Sequence, residues 1–324
     1  MAQLTALGID VSKADFHVCL LLETIRKHKR FQNSKAGFER LHDWLSTHGQ
    51  ECVHACMEST GPYSEPLAEY LADQGHHVSL VNPKRIKAYG ESDLIRAKTD
   101  KADADLIARF CREKRPDPWS PLPPKQRLLR DWVRRLENLT EMRQMELNRL
   151  EGATGPVAEH INDHVEELTK QMDATKKRIR ELIDDDPDMR KRRNLLQTIP
   201  GIGEATIAVI LAEFGDITRF TSAKALAAWV GLAPRLVQSG KYRGRTMICR
   251  TSRGKLRKAF YMPALVAIRY NAPIMQMHER LLAAHKPKKA IVAAAMRKLV
   301  HIIYGVLKSG TPFEAKKAAP GVAN

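Results

Sequence analysis

The sequence has few cysteines, and none lie in the spacings that hold zinc or build a disulfide framework. Its five cysteines are odd in number and scattered along 324 residues, and no Cys-x-x-Cys pair occurs. A disulfide-stapled domain and a thiolate zinc site are therefore both disfavoured. Cys52, His54 and Cys56 resemble a ligand set, but they alternate along a strand-like stretch. We interpret them as core packing, with metal ligation as the lesser alternative.

Long apolar runs are also missing. No stretch of about eighteen apolar residues appears, and the first residues lack a basic region followed by an apolar segment. Neither a membrane span nor a signal peptide is indicated, so we expect a cytoplasmic protein without a membrane partner. A chain of 324 residues with a 43% hydrophobic fraction is long enough for about two or three domains with cores of their own.

Acidic residues are nearly absent from the last third of the chain. Residues 221–324 carry 20 Lys and Arg but only Glu279 and Glu314, a net charge of +18, whereas the preceding 220 residues sum to −1. A merely solvated surface usually intersperses both signs. A one-sided basic region of this size is typical of a protein that binds a polyanion, because neutralised phosphates release counterions.

The first hundred residues predict three strands followed by alternating helices and strands. Two apolar runs flank a turn at residues 11–14, as in a β-hairpin, and Ser34 opens the first helix. The predicted strands are 4–10, 15–22, 25–31, 53–58 and 77–81. This is the order of an α/β RNase H-like (RuvC-like) core, which we predict for residues 1–115.

Four acids fall where such a core places metal ligands. Asp10 lies in a buried strand, where a charge needs a partner, although it could also cap the following turn. Glu58 ends the fourth strand, and Asp100 and Asp103 share one face of a helix capped by Thr99. A single helix-terminal acid would merely complement the helix dipole. Together the four carboxylates favour Mg²⁺, with Mn²⁺ as the alternative.

A proline-rich linker, residues 116–124, separates this core from a predicted helical hairpin over 125–186. The second arm has apolar residues at strict 4-3 spacing, which indicates an antiparallel coiled coil for self-association or for spacing domains. The hairpin ends in the acidic run 184–186, which we interpret as a solvated helix end. Residues 187–324 form the basic, mainly helical C-terminal domain.

Two features of the C-terminal domain suggest contact with nucleic acid. Gly201 and Gly203 permit the tight turn of a helix-hairpin-helix-like element, whose helix N-terminus offers N–H groups to phosphate; an ordinary corner is the alternative. Further on, cations surround Ser239, which lies in a turn dipeptide; by chemistry alone Tyr242 would be as good a candidate nucleophile. The residues expected to bind nucleic acid there are Arg235, Lys241, Arg243, Arg245, Arg250, Arg253 and Lys255.

The motifs together resemble a known family over nearly the whole length. They are Gly8-Ile-Asp-Val-Ser-Lys13, Met57-Glu-Ser-Thr-Gly61, Lys98-Thr-Asp-Lys-Ala-Asp103, Pro200-Gly-Ile-Gly203, Gly231-Leu-Ala-Pro234 and Gln238-Ser-Gly240. In this order the chain resembles the DEDD-type transposases of the insertion sequence 110 family, relatives of the Piv-type DNA invertases.

The resemblance implies a catalytic assembly. It assigns Asp10, Glu58, Asp100 and Asp103 to a RuvC-like metal site and Ser239 to the nucleophile. It also implies DNA at the element junction and target as substrates, and a structured guide RNA encoded by the element. The coiled-coil arm, together with the need to cut two strands at once, suggests a homo-oligomer, a dimer or a tetramer. Two other classes stay open: a RuvC-like endonuclease that uses water as nucleophile, and a non-catalytic nucleic-acid-binding scaffold.

Overall fold

A computed structural model of the chain divides into two compact units, Met1–Pro121 and Leu122–Asn324. The residues described are 4–23, 25–59, 61, 63–92, 99–235, 238–239, 242–243, 247–248 and 254–315, with side chains left out of the description over 235–253. The division between the units falls inside the predicted linker. The finer domain boundaries at 115, 124 and 186 stay predictions.

The first unit contains the predicted strands and helices. Its strands are β1 (Thr5–Val11), β2 (Asp15–Leu21), β3 (Arg26–Gln32), β4 (Val53–Glu58) and β5 (His77–Val81). Its helices are α1 (Lys35–Thr47), α2 (Glu65–Asp73), α3 (Pro83–Ser92) and α4 (Asp100–Lys114). The predicted caps are confirmed: the Ser34 side chain accepts from Gly37 N, and the Thr99 side chain accepts from Ala102 N.

The five strands form one mixed sheet in the order β3-β2-β1-β4-β5. β1, β2 and β3 pair antiparallel, whereas β4 pairs parallel with β1 and β5 pairs parallel with β4. Buried residues of α1 and α2 share a core cluster with one face of the sheet, and those of α3 and α4 share a cluster with the other face. The central strand is therefore covered on both sides, which explains its continuous apolar run.

The first half of the proline-rich linker is fastened to the edge strand β5. The Ser79 hydroxyl lies 3.0 Å from the carbonyl oxygen of Pro116 and 2.9 Å from that of Asp117. The Trp119 N–H donates to the Val78 carbonyl over 2.6 Å. Residues 116–119 consequently belong to the first unit in packing as well as in sequence order.

The second unit is mainly helical. Its helices are α5 (Pro124–Leu150), α6 (Gly155–Asp184), α7 (Pro187–Gln197), α8 (Glu204–Phe214), α9 (Ala223–Val230), α10 (Gly254–Ala259), α11 (Tyr261–Tyr270), α12 (Ala272–Ala283) and α13 (Lys288–Ser309). Four short strands lie between α9 and α10: β6 (Pro234–Arg235), β7 (Gln238–Ser239), β8 (Tyr242–Arg243) and β9 (Met247–Ile248). The predicted hairpin is confirmed as α5 and α6, with Leu139 and Leu168 buried along its seam.

Within the described part of the chain, α13 is long and apolar enough by length and composition to cross a membrane. Half of its most apolar window is buried in the protein. Leu299, Val300 and Ile303 are fully buried in the core of the second unit, where α13 packs against α9 and α11. This is the packing of a core helix.

The acidic run at the end of α6 has a local structural role. Oδ1 of Asp186 accepts hydrogen bonds from the N–H groups of Asp188 (3.1 Å) and Met189 (3.0 Å), so Asp186 caps α7. The Met189 N–H contributes most to lowering the pKa of this carboxyl below its ordinary value of 3.8.

We expect Asp186→Ala to lower the free energy of unfolding by about 1 kcal/mol at neutral pH, as for other lost N-caps. Because the folded-state pKa is lowered, the contribution is full above pH 3.8 and is lost as the pH falls through the folded value. Urea unfolding of the wild type and the variant at a series of pH values from neutral to below 3.8 would measure this loss of stability. Asp185→Ala, an exposed neighbour, is the matched control and should change stability little; equal effects of the two variants would contradict the cap.

Candidate functional site

Two of the four predicted acids are neighbours because β1 and β4 run parallel. In the register of this pair Ile9 lies opposite Met57, so Asp10 and Glu58 follow one step later on adjacent strands. Both are near the carboxyl ends of their strands, and both are half-buried. The fold therefore brings together two acids that are 48 residues apart in the sequence.

The other two acids arrive on the first turn of α4, which crosses the sheet next to Gly8. A Cβ atom at Gly8 would lie 2.2 Å from the Ala104 carbonyl oxygen and 2.2 Å from the Ala108 nitrogen. Only glycine permits this approach, because both neighbours are backbone atoms. The close crossing directs the N-terminal turn of α4, with Asp100 and Asp103, towards the end of β1 that carries Asp10.

The electrostatics show that the carboxylates act on one another. The pKa of Asp10 is raised to about 6, first by burial and then by the negative charges of Asp103 and Asp100. The pKa of Glu58 is also raised, by burial and then by Asp10 and Asp103. Such a cluster opposes its own ionisation. A divalent cation would relieve it, and an all-oxygen donor set fits a hard cation such as Mg²⁺.

His17 is a neighbour of this cluster that the sequence reasoning missed. It lies opposite Asp10 in the β1–β2 register, and its Nδ1 is 4.0 Å from the Asp100 carboxylate. In its protonated form His17 would favour ionised Asp10, opposing the effect of burial. The signal was available, since a hairpin with its turn near residues 12–14 places His17 across from Asp10.

Asp105, also on α4, is held by other partners than this cluster. Its carboxylate lies 3.0 Å from the Arg26 guanidinium and 3.2 Å from that of Arg109. Together with Cys19 and His28 it forms a group whose ligand-type atoms all lie within 4.8 Å of one another. Because two guanidinium groups already hold the carboxylate, we interpret the group as an ion-pair network that ties α4 to β2 and β3.

The predicted Cys52-His54-Cys56 pattern is confirmed as packing. Cys56 is fully buried, and the His54 imidazole hydrogen-bonds the Ser79 hydroxyl over 2.8 Å. Cys56 and Cys111 form a buried thiol pair linked by a hydrogen bond. These groups hold β4, β5 and α4 together.

Ser239 lies in the second unit, on the short strand β7. It pairs with Tyr242 of β8, so both candidate nucleophiles occupy one small antiparallel ladder. Gly240 and Lys241, between them, lie outside the described residues, as do Arg245, Arg250 and Arg253. Of the remaining predicted cations, Arg235 and Arg243 are described by backbone alone.

The backbone conformation and the packing at Gly201 both favour glycine over any larger residue. Its φ is +100°, and a Cβ there would lie 2.8 Å from the Cβ of Ala267 in α11. Gly203 caps α8 in open space, but the first residue of that helix is the acidic Glu204. An acid at this position disfavours phosphate. Phosphate binding by the turn stays a prediction, as does nucleic-acid binding by Lys255, whose ammonium lies 3.4 Å from Glu137.

Two family models match most of the chain. A DEDD model of the IS110 type, described as a transposase, matches residues 7–153, which include all four acids of the cluster. A second model, described as a transposase of the IS116/IS110/IS902 family, matches residues 193–279, which include Ser239.

Individual relatives match over almost their full length. The chain is 34% identical over 316 residues to the pilin gene-inverting protein of Moraxella bovis, covering 96% of this chain and 98% of the relative. The protein of the same name from Moraxella lacunata matches equally well. A transposase for insertion sequence element IS1328 from Yersinia enterocolitica is 22% identical over 97% of this chain and 99% of its own length.

Proposed function

Because the chain belongs to the IS110 family of transposases and is thus a DNA-recombining enzyme, we propose that it cuts and rejoins strands through a carboxylate metal site and a covalent phosphoserine link. The observation that carries the metal site is the meeting of Asp10 and Glu58 on adjacent parallel strands, next to the first turn of α4. The raised pKa of Asp10, caused by burial and by the charges of Asp103 and Asp100, agrees with this arrangement. Such mutually repelling carboxylates are a functional-site signature.

The sheet topology supports an RNase H-like core. Three antiparallel strands followed by two parallel ones, in the order β3-β2-β1-β4-β5, put Asp10 on the central strand and Glu58 on its parallel neighbour. In this interpretation the first unit is the metal-dependent catalytic domain and α4 supplies the last two ligands.

The proposed ligands are Asp10, Glu58, Asp100 and Asp103, and the DEDD family model points to a divalent metal. Mg²⁺, or Mn²⁺ in its place, would polarise the scissile phosphate and stabilise the charge that develops on the attacking and leaving oxygens. The half-buried Asp10 and Glu58 would fix the position of the site. The more exposed Asp100 has its carboxylate 4.0 Å from Nδ1 of His17.

Ser239 would be the nucleophile. The Ser239 hydroxyl is a weak nucleophile at its free pKa. It must therefore be activated as it attacks, either by a base that takes its proton or by coordination to the metal. The bond from Oγ to phosphorus forms while the bond from phosphorus to the leaving deoxyribose oxygen breaks, and that oxygen takes up a proton. The phosphoserine link retains the bond energy, so a hydroxyl of a second DNA end can displace the serine and restore the phosphodiester.

The basic C-terminal region would hold DNA and a structured guide RNA. Residues 221–324 carry the charge excess, and in the sequence Arg235, Lys241 and Arg243 lie within four residues of Ser239. The α5–α6 hairpin would pair copies of the chain into a dimer or tetramer, because two strands must be cut together. The names of the Moraxella relatives describe inversion of a pilin gene, which supports rearrangement of DNA by strand exchange.

A trapping assay tests this function. Purified protein, Mg²⁺, guide RNA and labelled element-junction DNA would be resolved on a denaturing gel beside Ser239→Ala and Asp10→Ala. We expect a protein–DNA adduct in the wild type and a loss of about a thousandfold or more in both variants. Ser309→Ala, a serine hydrogen-bonded to Thr311 at the end of α13, is the matched control and should keep the adduct.

Two results would overturn the proposal. Cleavage by Ser239→Ala, with no adduct in the wild type, would identify an endonuclease that uses water. Binding without any strand breakage under complete conditions would leave a scaffold.

A further inference from the structure

The first unit contains a strongly basic strand that none of the proposed roles use. Strand β3 reads Arg26-Lys-His-Lys-Arg30 before its apolar end. Residues 1–121 carry 17 Lys and Arg against 17 Asp and Glu, so β3 holds four of the cations of an otherwise acidic unit. The global charge pattern hides this strand, because the C-terminal excess dominates it.

This strand lies at the edge of the sheet and is open to solvent. In the sheet order it is the outermost strand, paired with β2 alone. Its four Lys and Arg side chains are exposed, and Phe31 is its only buried residue. An edge strand can present side chains of both faces to a ligand that lies along the edge.

The register brings β3 next to the carboxylate cluster. Arg30 lies opposite His17, and His17 lies opposite Asp10, so the three form one row across three strands. Directly opposite residues point to the same face of a sheet. At about 4.8 Å per strand, Arg30 begins roughly 10 Å from Asp10. That distance corresponds to about three nucleotides at 3.4 Å per phosphate along the duplex axis.

The cations of β3 divide into held and unpaired ones. Arg30 is hydrogen-bonded to Asp15, and Arg26 lies 3.0 Å from Asp105, so these two are fixed in place. Neither Lys27 nor Lys29 has an ion-pair partner among the described residues. The Lys29 ammonium lies 5.3 Å from the centre of the Phe31 ring, beside a groove of about 550 Å³ between β3 and α1.

We propose that the basic edge strand, Arg26–Arg30, binds the backbone of the DNA duplex that flanks the phosphate held at the carboxylate cluster. The choice of DNA rests on the proposed function; the binding surface itself rests on charge, exposure and register. Arg30, on the same face of the sheet as the cluster, would contact the phosphate nearest to it. Lys27 and Lys29 alternate onto the opposite face, next to α1, and would contact the duplex backbone where it passes the outer side of the sheet edge. The strand would thereby set the direction in which the duplex leaves the site.

Protection of the sheet edge is the competing explanation for these lysines. Charged residues on edge strands prevent pairing with another copy of the chain. One or two lysines suffice for that purpose, whereas β3 has four Lys and Arg among five consecutive residues, and two of the four are paired with acids. The two explanations predict different outcomes for the same variant.

The test measures binding of the full-length protein to a short fluorescein-labelled DNA duplex by anisotropy, in EDTA and over a series of salt concentrations. We expect Lys27→Gln/Lys29→Gln to weaken binding and to reduce the slope of log K against log salt by about 2, one unit for each lost phosphate contact. The matched control is Lys114→Gln/Arg115→Gln, which removes the same charge from the same unit. These residues lie at the far end of α4, about 20 Å from Asp100, and the slope should stay unchanged.

The remaining outcomes overturn the proposal. An unchanged slope, or an equal loss in both variants, would show that β3 makes no specific contact. Self-association of Lys27→Gln/Lys29→Gln with intact DNA binding would establish edge protection instead. In a parallel titration with an RNA duplex of the same length, a loss of binding confined to the RNA would assign the strand to the guide. Because no strand is cleaved in EDTA, failure here would leave the trapping result, and with it the proposed chemistry, untouched.

Discussion

Gly8→Ala is expected to destabilise the first unit by several kcal/mol and to abolish recombination. The added Cβ would lie 2.2 Å from backbone atoms of Ala104 and Ala108, which no change of rotamer can move. Helix α4 would have to shift away from β1, at a cost at or above the upper end of the range for overpacked cores, about 3 kcal/mol or more. The shift would also carry Asp100 and Asp103 away from Asp10.

Thermal or urea unfolding of the purified variant measures this effect. Gly305→Ala is the matched control: it lies inside α13, and nothing is within 4 Å of its added Cβ. There the same substitution should stabilise the helix by about 0.5–1 kcal/mol. If Gly8→Ala were as stable as the wild type, α4 could not be seated against β1 as described.

Asp10→Asn is expected to change stability in opposite directions with and without metal. The folded-state pKa of Asp10, about 6, exceeds its ordinary value of 3.8. The contribution of Asp10 to folding stability is therefore fully present below pH 3.8 and is lost as the pH rises through 6. At pH 7 the ionised Asp10 destabilises the folded state. Removing the charge should raise the free energy of unfolding in EDTA by about 1–3 kcal/mol.

Addition of Mg²⁺ should reverse that order. The wild type gains stability as binding to the folded state saturates, whereas Asp10→Asn lacks a ligand and gains little. Thermal unfolding against Mg²⁺ concentration measures both. Asp15→Asn is the control. Because Arg30 lowers the pKa of Asp15, removing the Asp15 charge should reduce stability, whereas the stabilisation by Mg²⁺ should persist. An undiminished Mg²⁺ response in Asp10→Asn would refute the proposed ligand set.

Much of the first unit could be predicted because its signals are local. Ser34 and Thr99 are residue types that cap helix N-termini, so they indicate where α1 and α4 begin. The apolar runs of β1 and β4 indicate buried strands. The packing role of Gly8 could not be predicted, because it depends on a helix almost one hundred residues away crossing that point of the sheet. The pairing of Asp105 with Arg26 depends on tertiary packing in the same way.

The second unit was predictable only in its helices. The 4-3 spacing of α6 gave the hairpin, but β6 to β9 are two residues long, too short for a period-2 pattern to appear. Within the candidate site the acids could be predicted from residue type, since a charge in a buried strand is rare. His17 was missed because histidine in a half-buried strand is ordinary until the hairpin register is known.

The site is built from two halves that differ in how easily they open. β1 is hydrogen-bonded to strands on both sides, so amide exchange along the strand that carries Asp10 requires the sheet itself to separate. Asp100 and Asp103 instead occupy the first turn of a helix, where the leading N–H groups lack helical partners and the Thr99 side chain holds one of them. Fraying of that single turn would dismantle half of the carboxylate set while the sheet stays intact. In the proposed site the reactive geometry would thus depend on a local equilibrium at one helix end, separate from global unfolding.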